Sequence, residues 1–218
     1  MTTPIGTTIH YAHVFDLKKR QQGGIPMNTD ALQQNVNDLF NLLQERQIDY
    51  VLVGGIAMLT YIAGRNTEDI DLIMAVDSLE KMPEIELVSQ DMYFARGQFH
   101  NLQIDLLLTS NPLFAEVQHG FVTEQTFAEQ TIATATVEGL VLLKLYALPS
   151  LYRQGNFVKV GLYENDIATL LYEYKPDLAP LLARLRHYLS PSDTAEVETI
   201  LTDINQRITR FRRRPDGG

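Results

Sequence analysis

The sequence contains no cysteine, which excludes disulfide bonds and thiolate metal ligands. It also contains no run of about 18 or more apolar residues, so no transmembrane helix is predicted. The first residues lack the apolar stretch of a secretory signal peptide. These absences suit a reducing compartment, and we expect a cytoplasmic protein.

The sequence motifs of several large enzyme classes are also missing. There is no GxSxG, no P-loop GxxxxGK[ST], no GxGxxG and no HExxH. The histidines show no metal-ligand spacing beyond His10 and His13, which lie close to the N-terminus. A chemistry based on these motifs is therefore not indicated.

Charge is distributed unevenly along the chain. The net charge is −9, but residues 180–218 hold seven arginines against five acids, a local +2 that leaves −11 for the first 179 residues. An acidic body argues against general, salt-dependent nucleic-acid binding. It leaves room for a metal-dependent site.

The pattern of hydrophobic residues predicts an α/β (α+β) fold, with a mixed β-sheet core followed by a helical part. Residues 1–26 have no clear periodicity and are interpreted as an N-terminal arm. Residues 27–135 are predicted to form the α/β core. Residues 136–218 are predicted to be helical.

Apolar runs place the individual elements. Strands are predicted at 50–53, 69–76, 91–98 and 102–109, and short helices at 56–63 and near 77–86. In the last third, one helix is predicted to begin at Thr136 and to stop at Pro149. Further helices are expected to begin near Tyr163, Asp177 and Ser192, the last with an apolar stripe that ends at Phe211.

Two aspartates share one predicted strand, in the segment DIDLIMAV. Because side chains alternate between the faces of a strand, Asp69 and Asp71 lie on one face. Carboxylates at this spacing repel each other unless a cation or solvent separates them. One interpretation is a Mg²⁺ site, since Mg²⁺ takes carboxylate ligands; the other is a pair of acids that face water at a sheet end.

A third carboxylate, Asp105, lies in the segment LQIDLLLT, which has no other charge. If this strand pairs beside 69–76, the three aspartates converge. Three carboxylates suffice for a two-metal site, whose ions lie roughly 3.5–4 Å apart. The metal hypothesis therefore depends on which strands are neighbours.

Two glycines, Gly54 and Gly55, follow the strand predicted at 50–53 and open the next helix. Glycine lets the backbone approach a ligand closely, and the N–H groups at a helix start can meet phosphate oxygens. Such a pair more often marks a turn. It indicates a phosphate site only together with the acids that follow.

This arrangement resembles the signature of the nucleotidyltransferase (polymerase beta-like) superfamily. Here the signature reads VGG at 53–55 and, after thirteen residues, DIDL at 69–72. The segment GRNTEDIDLIM is also similar to a bacterial branch that includes abortive-infection type IV toxin nucleotidyltransferases. In that branch an Arg and a Thr often precede the aspartates, as Arg65 and Thr67 do. The resemblance covers about residues 30–175.

The resemblance implies transfer of a nucleoside monophosphate from an NTP to an acceptor hydroxyl. It implies two Mg²⁺ ions, or Mn²⁺ in their place, bound by Asp69, Asp71 and Asp105, with Asp105 also helping to deprotonate the acceptor. Gly54 and Gly55 would hold the triphosphate.

The resemblance leaves open whether the acceptor is tRNA or other RNA, a protein or a small molecule such as an antibiotic. A toxin role with an antitoxin partner, and a homo-oligomer, are also left open.

Four more residues are implied to bind the nucleotide: Arg65, Thr67, Lys144 and Asp166. Arg65 either binds phosphate or caps its loop. Lys144 lies alone in an apolar helix, so it contacts the triphosphate, forms an ion pair or extends to solvent. Asp166 pairs with Lys144, orients the substrate or complements the dipole of a helix start.

Two functions compete with a catalytic nucleotidyltransferase. One is a non-catalytic nucleotide-binding or interaction module of the same fold, against which the three intact aspartates argue. The other is a metal-dependent phosphohydrolase that uses the same acids. Release of pyrophosphate rather than free phosphate separates transfer from hydrolysis.

Overall fold

The computed structural model describes residues 29–62, 69–127 and 130–212. The arm predicted at 1–26 therefore lies outside the described residues, as do Arg65 and Thr67. The chain divides into two compact units, Met1–Thr136 and Val137–Gly218. None of the helices in the described ranges is both long and apolar enough to cross a membrane.

The first unit combines strands with short helices. In chain order its described elements are α1 (Thr29–Glu45), β1 (Tyr50–Val53), α2 (Gly54–Leu59), β2 (Asp69–Met74), α3 (Val76–Leu79), β3 (Glu86–Gln90), β4 (Phe94–Phe99), β5 (Leu102–Leu108), α4 (Pro112–Gly120), β6 (Val122–Phe127) and β7 (Gln130–Ala135). The strands form one seven-stranded sheet in the order β3-β4-β5-β2-β1-β7-β6.

The sheet is mixed. At its centre β2 runs parallel to β5 and antiparallel to β1, while β1 runs parallel to β7. The outer strands are added by three antiparallel pairs, β3 with β4, β4 with β5 and β6 with β7. The predicted α/β fold with a mixed sheet is confirmed.

The core of the first unit lies between the sheet and its helices. Strand β5 alternates strictly, with Leu102, Ile104, Leu106 and Leu108 buried and the residues between them half-buried. Helices α1 and α4 pack against this strand. Helix α1 supplies an apolar stripe at helical spacing, formed by the buried residues Val36, Leu39, Phe40 and Leu43. The strand alternation leaves the opposite face of the sheet free for polar side chains.

The second unit is helical throughout its described residues. Its elements are α5 (Val137–Arg153), α6 (Phe157–Tyr174), α7 (Leu178–Leu185) and α8 (Pro191–Arg212). Helix α8 packs against both α5 and α6, and α7 packs against α5. The stripe predicted on α8 is buried at Val197, Ile200, Leu201, Ile204 and Ile208. Phe211 was wrongly included in that stripe, since the side chain is exposed near the end of the helix.

Several predicted element boundaries are wrong, including the end of the helix at 56–63, which is Leu59, and the start of the strand at 91–98, which is Phe94. Helix α5 continues through Pro149 to Arg153. Proline removes one helical hydrogen bond, and here burial of Leu148, Pro149 and Leu151 offsets that cost. The helix expected near 77–86 is a single turn, α3, because the chain then turns into β3.

Helix α6 begins at Phe157 rather than near Tyr163. The signal for the earlier start is Asn156, whose side chain accepts a hydrogen bond from the Lys159 N–H and caps the helix. Asp166 therefore lies in the middle of α6 and not in its first turn. Its interpretation as an acid that complements the helix dipole is wrong.

Candidate active site

The pairing of β2 with β5 determines where the aspartates lie. In this parallel pair Asp71 is the register partner of Asp105, and Asp69 is the partner of Gln103. Register partners on neighbouring strands project from the same face of a sheet. The three aspartates therefore share one face, and all three are half-buried. We call this set of three the aspartate cluster.

The two glycines lie directly beside Asp71. Strand β1 places Val53 opposite Asp71, so α2 begins next to the carboxylate. Gly54 has a φ of +62°, and a Cβ atom there would lie 1.8 Å from Asp71 Oδ2. The Gly55 N–H donates a hydrogen bond to the same oxygen, at 3.2 Å. The glycines thus make room for Asp71 and hold its carboxylate, a local reason for glycine that sequence reasoning missed.

Arg96 on β4 completes the row of side chains across the sheet. It is the antiparallel register partner of Asp105. Its Nε and Nη2 atoms donate to Asp105 Oδ1 and Oδ2, each at 2.7 Å. Both carboxylate oxygens of Asp105 therefore accept from one guanidinium, the two-pronged geometry that arginine forms with carboxylates.

Gln103 links the two ends of the aspartate cluster. Its Nε2 atom lies 3.3 Å from Asp69 Oδ2 and 3.4 Å from Asp105 Oδ1. These contacts are long for hydrogen bonds and therefore weak. They nevertheless show that carboxylates on β2 and β5 lie within reach of one amide group.

The electrostatics of this face are set by an excess of acid. The pKa of Arg96 is raised, first because its guanidinium donates to Asp105 and further because Asp69 and Asp71 add negative charge nearby. Among the described residues, Arg96 supplies one positive charge beside the three carboxylates. This part of the face is therefore negative and suits a cation.

The donor types of the aspartate cluster suit Mg²⁺ or Mn²⁺, which prefer carboxylate oxygens. Within the described ranges, however, no three Asp, Glu or His side chains are arranged as a group that holds a metal ion. Asp105 is engaged by Arg96, and Asp71 accepts a hydrogen bond from the Gly55 N–H. The carboxylate donors and the strand register fit a metal ion, whereas the side chain of Asp105 is paired with Arg96.

The remaining predicted nucleotide-binding residues lie in the second unit. Lys144 on α5 is only 4% exposed, and its Nζ lies 2.8 Å from Asp166 Oδ2 on α6. The ring of Tyr163 lies 4.3 Å from the same nitrogen. Lys144 and Asp166 thus form the ion pair that was one of the roles considered for each of them.

Sequence reasoning also missed Arg96, although a signal for it was present. The turn at His100 and Asn101 joins β4 to β5, and His100 has the positive φ of 54° that tight turns use. A two-residue turn at this point fixes the register of the hairpin. Counting outwards from it pairs Arg96 with Asp105.

No protein-family model matches the sequence, and no curated protein matches it. Among solved structures, the chain is similar to the solution structure of the antibiotic-resistance factor ANT(2'')-Ia. The TM-score is 0.51 at 13% identity, with 85% of this chain and 97% of that chain covered. At this identity the likeness shows the fold alone.

Two further structures have TM-scores below 0.5 and add nothing to the argument. One is an antigenic nucleotidyltransferase-like protein from Paracoccidioides brasiliensis, 21% identical, with a TM-score of 0.49 and 79% and 94% of the two chains covered. The other is the crystal structure of ANT(2'')-Ia in complex with adenylyl-2''-tobramycin, 12% identical, with a TM-score of 0.47 and 79% and 95% covered.

Proposed function

We propose that the protein is a metal-dependent nucleotidyltransferase, which moves a nucleoside monophosphate from an NTP to an acceptor hydroxyl. The observation that carries the proposal is the parallel register of β2 and β5, which places Asp71 beside Asp105 with Asp69 on the same face. The nucleotidyltransferase fold supports the same reaction class. A convergent set of carboxylates on that fold is what phosphoryl transfer with divalent ions requires.

The three carboxylates share one role in this proposal, and Asp105 has a second. Asp69, Asp71 and Asp105 would hold Mg²⁺ or Mn²⁺, which would neutralise triphosphate charge and make the acceptor hydroxyl more acidic. The Asp105 carboxylate takes the proton from that hydroxyl. The acceptor oxygen then forms a bond to the α-phosphorus, and the bond from that phosphorus to the pyrophosphate oxygen breaks, so that pyrophosphate leaves.

The nucleotide-binding residues belong to the same proposal. The resemblance supports triphosphate contacts by Gly54 and Gly55, and further nucleotide contacts by Lys144 and Asp166. The burial of Lys144 against Asp166 supports instead a role in holding helices α5 and α6. Testing Lys144→Gln for a raised KM for NTP distinguishes these roles, provided that the variant folds.

The acceptor is proposed only by class: the end of an RNA such as tRNA, a protein hydroxyl or a small molecule. A small-molecule acceptor has the added support that a protein of the same fold is an antibiotic-resistance factor. A toxin with an antitoxin partner is supported only by the sequence resemblance. Part of the segment that carries it, residues 64–68, lies outside the described residues.

A second candidate function has an observation of its own. Because Arg96 engages both oxygens of Asp105, the fold is also compatible with a non-catalytic nucleotide-binding or interaction module. Such a module would bind NTP without releasing pyrophosphate. The distinction between the two functions is therefore experimental.

The test is label transfer from each α-labelled NTP with Mg²⁺ or Mn²⁺, using total RNA, total protein and aminoglycosides as acceptors. We expect transfer with pyrophosphate release by the wild type, and a loss of at least about a thousandfold in Asp71→Asn. The substitution preserves volume and removes one of three repelling charges, so the free energy of unfolding should not fall.

Asp77→Asn is the matched control, because Asp77 is exposed on α3 just beyond β2. It should transfer at the wild-type rate. A folded Asp71→Asn protein with near-wild-type transfer contradicts the mechanism. If the wild type binds NTP but transfers nothing to any acceptor, the non-catalytic module replaces the proposal, and release of free phosphate indicates a phosphohydrolase.

A further inference from the structure

We propose that Arg96 is a built-in counter-cation that competes with divalent metal ions for Asp105 and thereby sets the metal affinity of the site. The inference rests on the proposed function, because it assumes that the aspartate cluster binds metal. It adds a positioning residue to which neither the sequence motif nor the fold assigns a role. Arg96 acts through Asp105, by holding it in the metal-free protein.

The geometry places metal and arginine in competition at Asp105. The guanidinium does not lose its proton at ordinary pH, so it stays positive and continues to donate. It occupies one lone pair on each oxygen of Asp105, at 2.7 Å. A divalent ion on the same carboxylate would meet a like charge a few ångströms away, which is strongly unfavourable in a half-buried site. Metal binding at Asp105 is therefore weakened while Arg96 holds the carboxylate, and is favoured when Arg96 moves away.

Arg96 is able to leave without disturbing the sheet. Its side chain is 51% exposed, whereas that of Asp105 is 18% exposed. The backbone of β4 is held by antiparallel pairing on both sides, to β3 and to β5. The long side chain can thus turn towards solvent while the strand stays in place. Gln103 remains beside Asp69 and Asp105 when it does so.

The first unit contains a second arginine fork that serves as a reference. Arg46 donates from Nη1 and Nη2 to the two oxygens of Glu84, at 2.6 and 2.5 Å. Both side chains are partly exposed. This pair joins the end of α1 to the segment before β3 and has no place in the aspartate cluster. It offers the same fork of hydrogen bonds away from the aspartate cluster, with Glu45 as a further acid nearby.

The test is Mn²⁺ binding to the full chain without NTP, measured by electron paramagnetic resonance of free Mn²⁺. Arg96→Gln should bind Mn²⁺ about tenfold more tightly than the wild type, because the competing charge is gone. Arg46→Gln should bind as the wild type does. Arg96→Lys keeps the positive charge, so its affinity should lie closer to that of the wild type than to that of Arg96→Gln.

A measurement on the wild type covers the possibility that Arg96→Gln does not fold. In protein labelled with ¹⁵N-arginine, the Nε–H resonance of Arg96 reports its hydrogen bond to Asp105. Addition of Mg²⁺ should shift this resonance and speed its exchange with water. The Arg46 resonances should not change.

The outcomes separate this inference from the proposed function. Equal or weaker Mn²⁺ binding by folded Arg96→Gln overturns it, as does an equal gain in Arg46→Gln or an unmoved Arg96 resonance at saturating Mg²⁺. If Arg96→Gln binds more tightly but the wild type transfers no nucleotide, only the proposed function fails. If the wild type transfers nucleotide and the affinities are equal, only this inference fails. No Mn²⁺ binding by either protein overturns both.

Discussion

The two units of the chain treat their charged side chains in different ways. In the second unit, Lys144 and Asp166 are almost completely buried and form a pair of opposite charges 2.8 Å apart. In the first unit, the three acids of the aspartate cluster lie beside Arg96, and these four side chains are half-buried or exposed. Among the described residues, the first pair is balanced in charge and buried, whereas the aspartate cluster with Arg96 carries net negative charge and is open to water.

The difference follows from the cost of removing charge from water. A buried ion must be paired, because its desolvation costs several kcal/mol. An excess of one sign persists only where solvent or a further cation reaches it. A buried balanced pair is therefore weak evidence for a ligand, whereas an accessible excess of carboxylates on one sheet face is a reason to look for one. Three measurements test this contrast.

The largest effect is expected from breaking the buried pair. Lys144→Met leaves the Asp166 carboxylate buried without its ammonium, and should lower the free energy of unfolding by about 3–5 kcal/mol. The measurement is urea denaturation followed by circular dichroism. The double variant Lys144→Met/Asp166→Leu should recover most of the loss. A loss below about 1 kcal/mol in the single variant would show that the pair is not desolvated, and the contrast would fail.

A smaller effect is expected where the backbone meets Asp71. Gly54→Ala must adopt a positive φ and places its Cβ against the Asp71 carboxylate, so unfolding should become easier by about 1–3 kcal/mol. Gly161→Ala is the control, because Gly161 lies within α6 and a Cβ there meets nothing within 4 Å. That change should stabilise the protein by up to about 1 kcal/mol. Equal melting temperatures for the two variants would refute this account of Gly54.

The smallest effect concerns the exposed fork of Arg46 and Glu84. Hydrogen bonding from Arg46 lowers the pKa of Glu84 from 4.5 to about 2. Since the folded-state pKa is the lower one, this stabilisation is present above about pH 4.5 and is lost as the pH falls towards 2. In thermal melts across that range, the melting temperature of Glu84→Gln should fall less steeply than that of the wild type. Superimposable curves would show that the fork adds nothing to stability.

Strands were predicted most accurately where the segment is apolar throughout or alternates strictly between apolar and polar residues. The segments YVLV and LQIDLLL are apolar or strictly alternating, and their predicted limits lie within a residue of β1 and β5. Strands β6 and β7 were missed because VTEQTF and QTIATA are polar and rich in threonine. Their pairing with each other is local, but the parallel contact of β7 with β1 is long-range and leaves no local pattern.

Two other omissions had local signals that were not used. Asn111 followed by Pro112 is a helix start, and the Asn111 side chain indeed accepts from the Leu113 N–H at the start of α4. The turn at His100 and Asn101 likewise fixed the partner of Asp105. The aspartates themselves were recognisable from strand alternation. The arginine opposite Asp105 required the register of a hairpin, which alternation alone does not supply.

The parallel pairing of β2 with β5 also has a consequence for how the protein folds. Parallel neighbours cannot be joined by a tight turn, and here the chain forms β3 and β4 before it returns to lie beside β2. The hairpin of β4 and β5 closes over a short distance in sequence, whereas the β2–β5 ladder closes a long loop and loses more chain entropy. We therefore expect Arg96 to meet Asp105 early in folding, and Asp71 to join them late. In this order of folding, Arg96 pairs with Asp105 before Asp69 and Asp71 come close to it. The repulsion among the three carboxylates is then smaller when β2 pairs with β5.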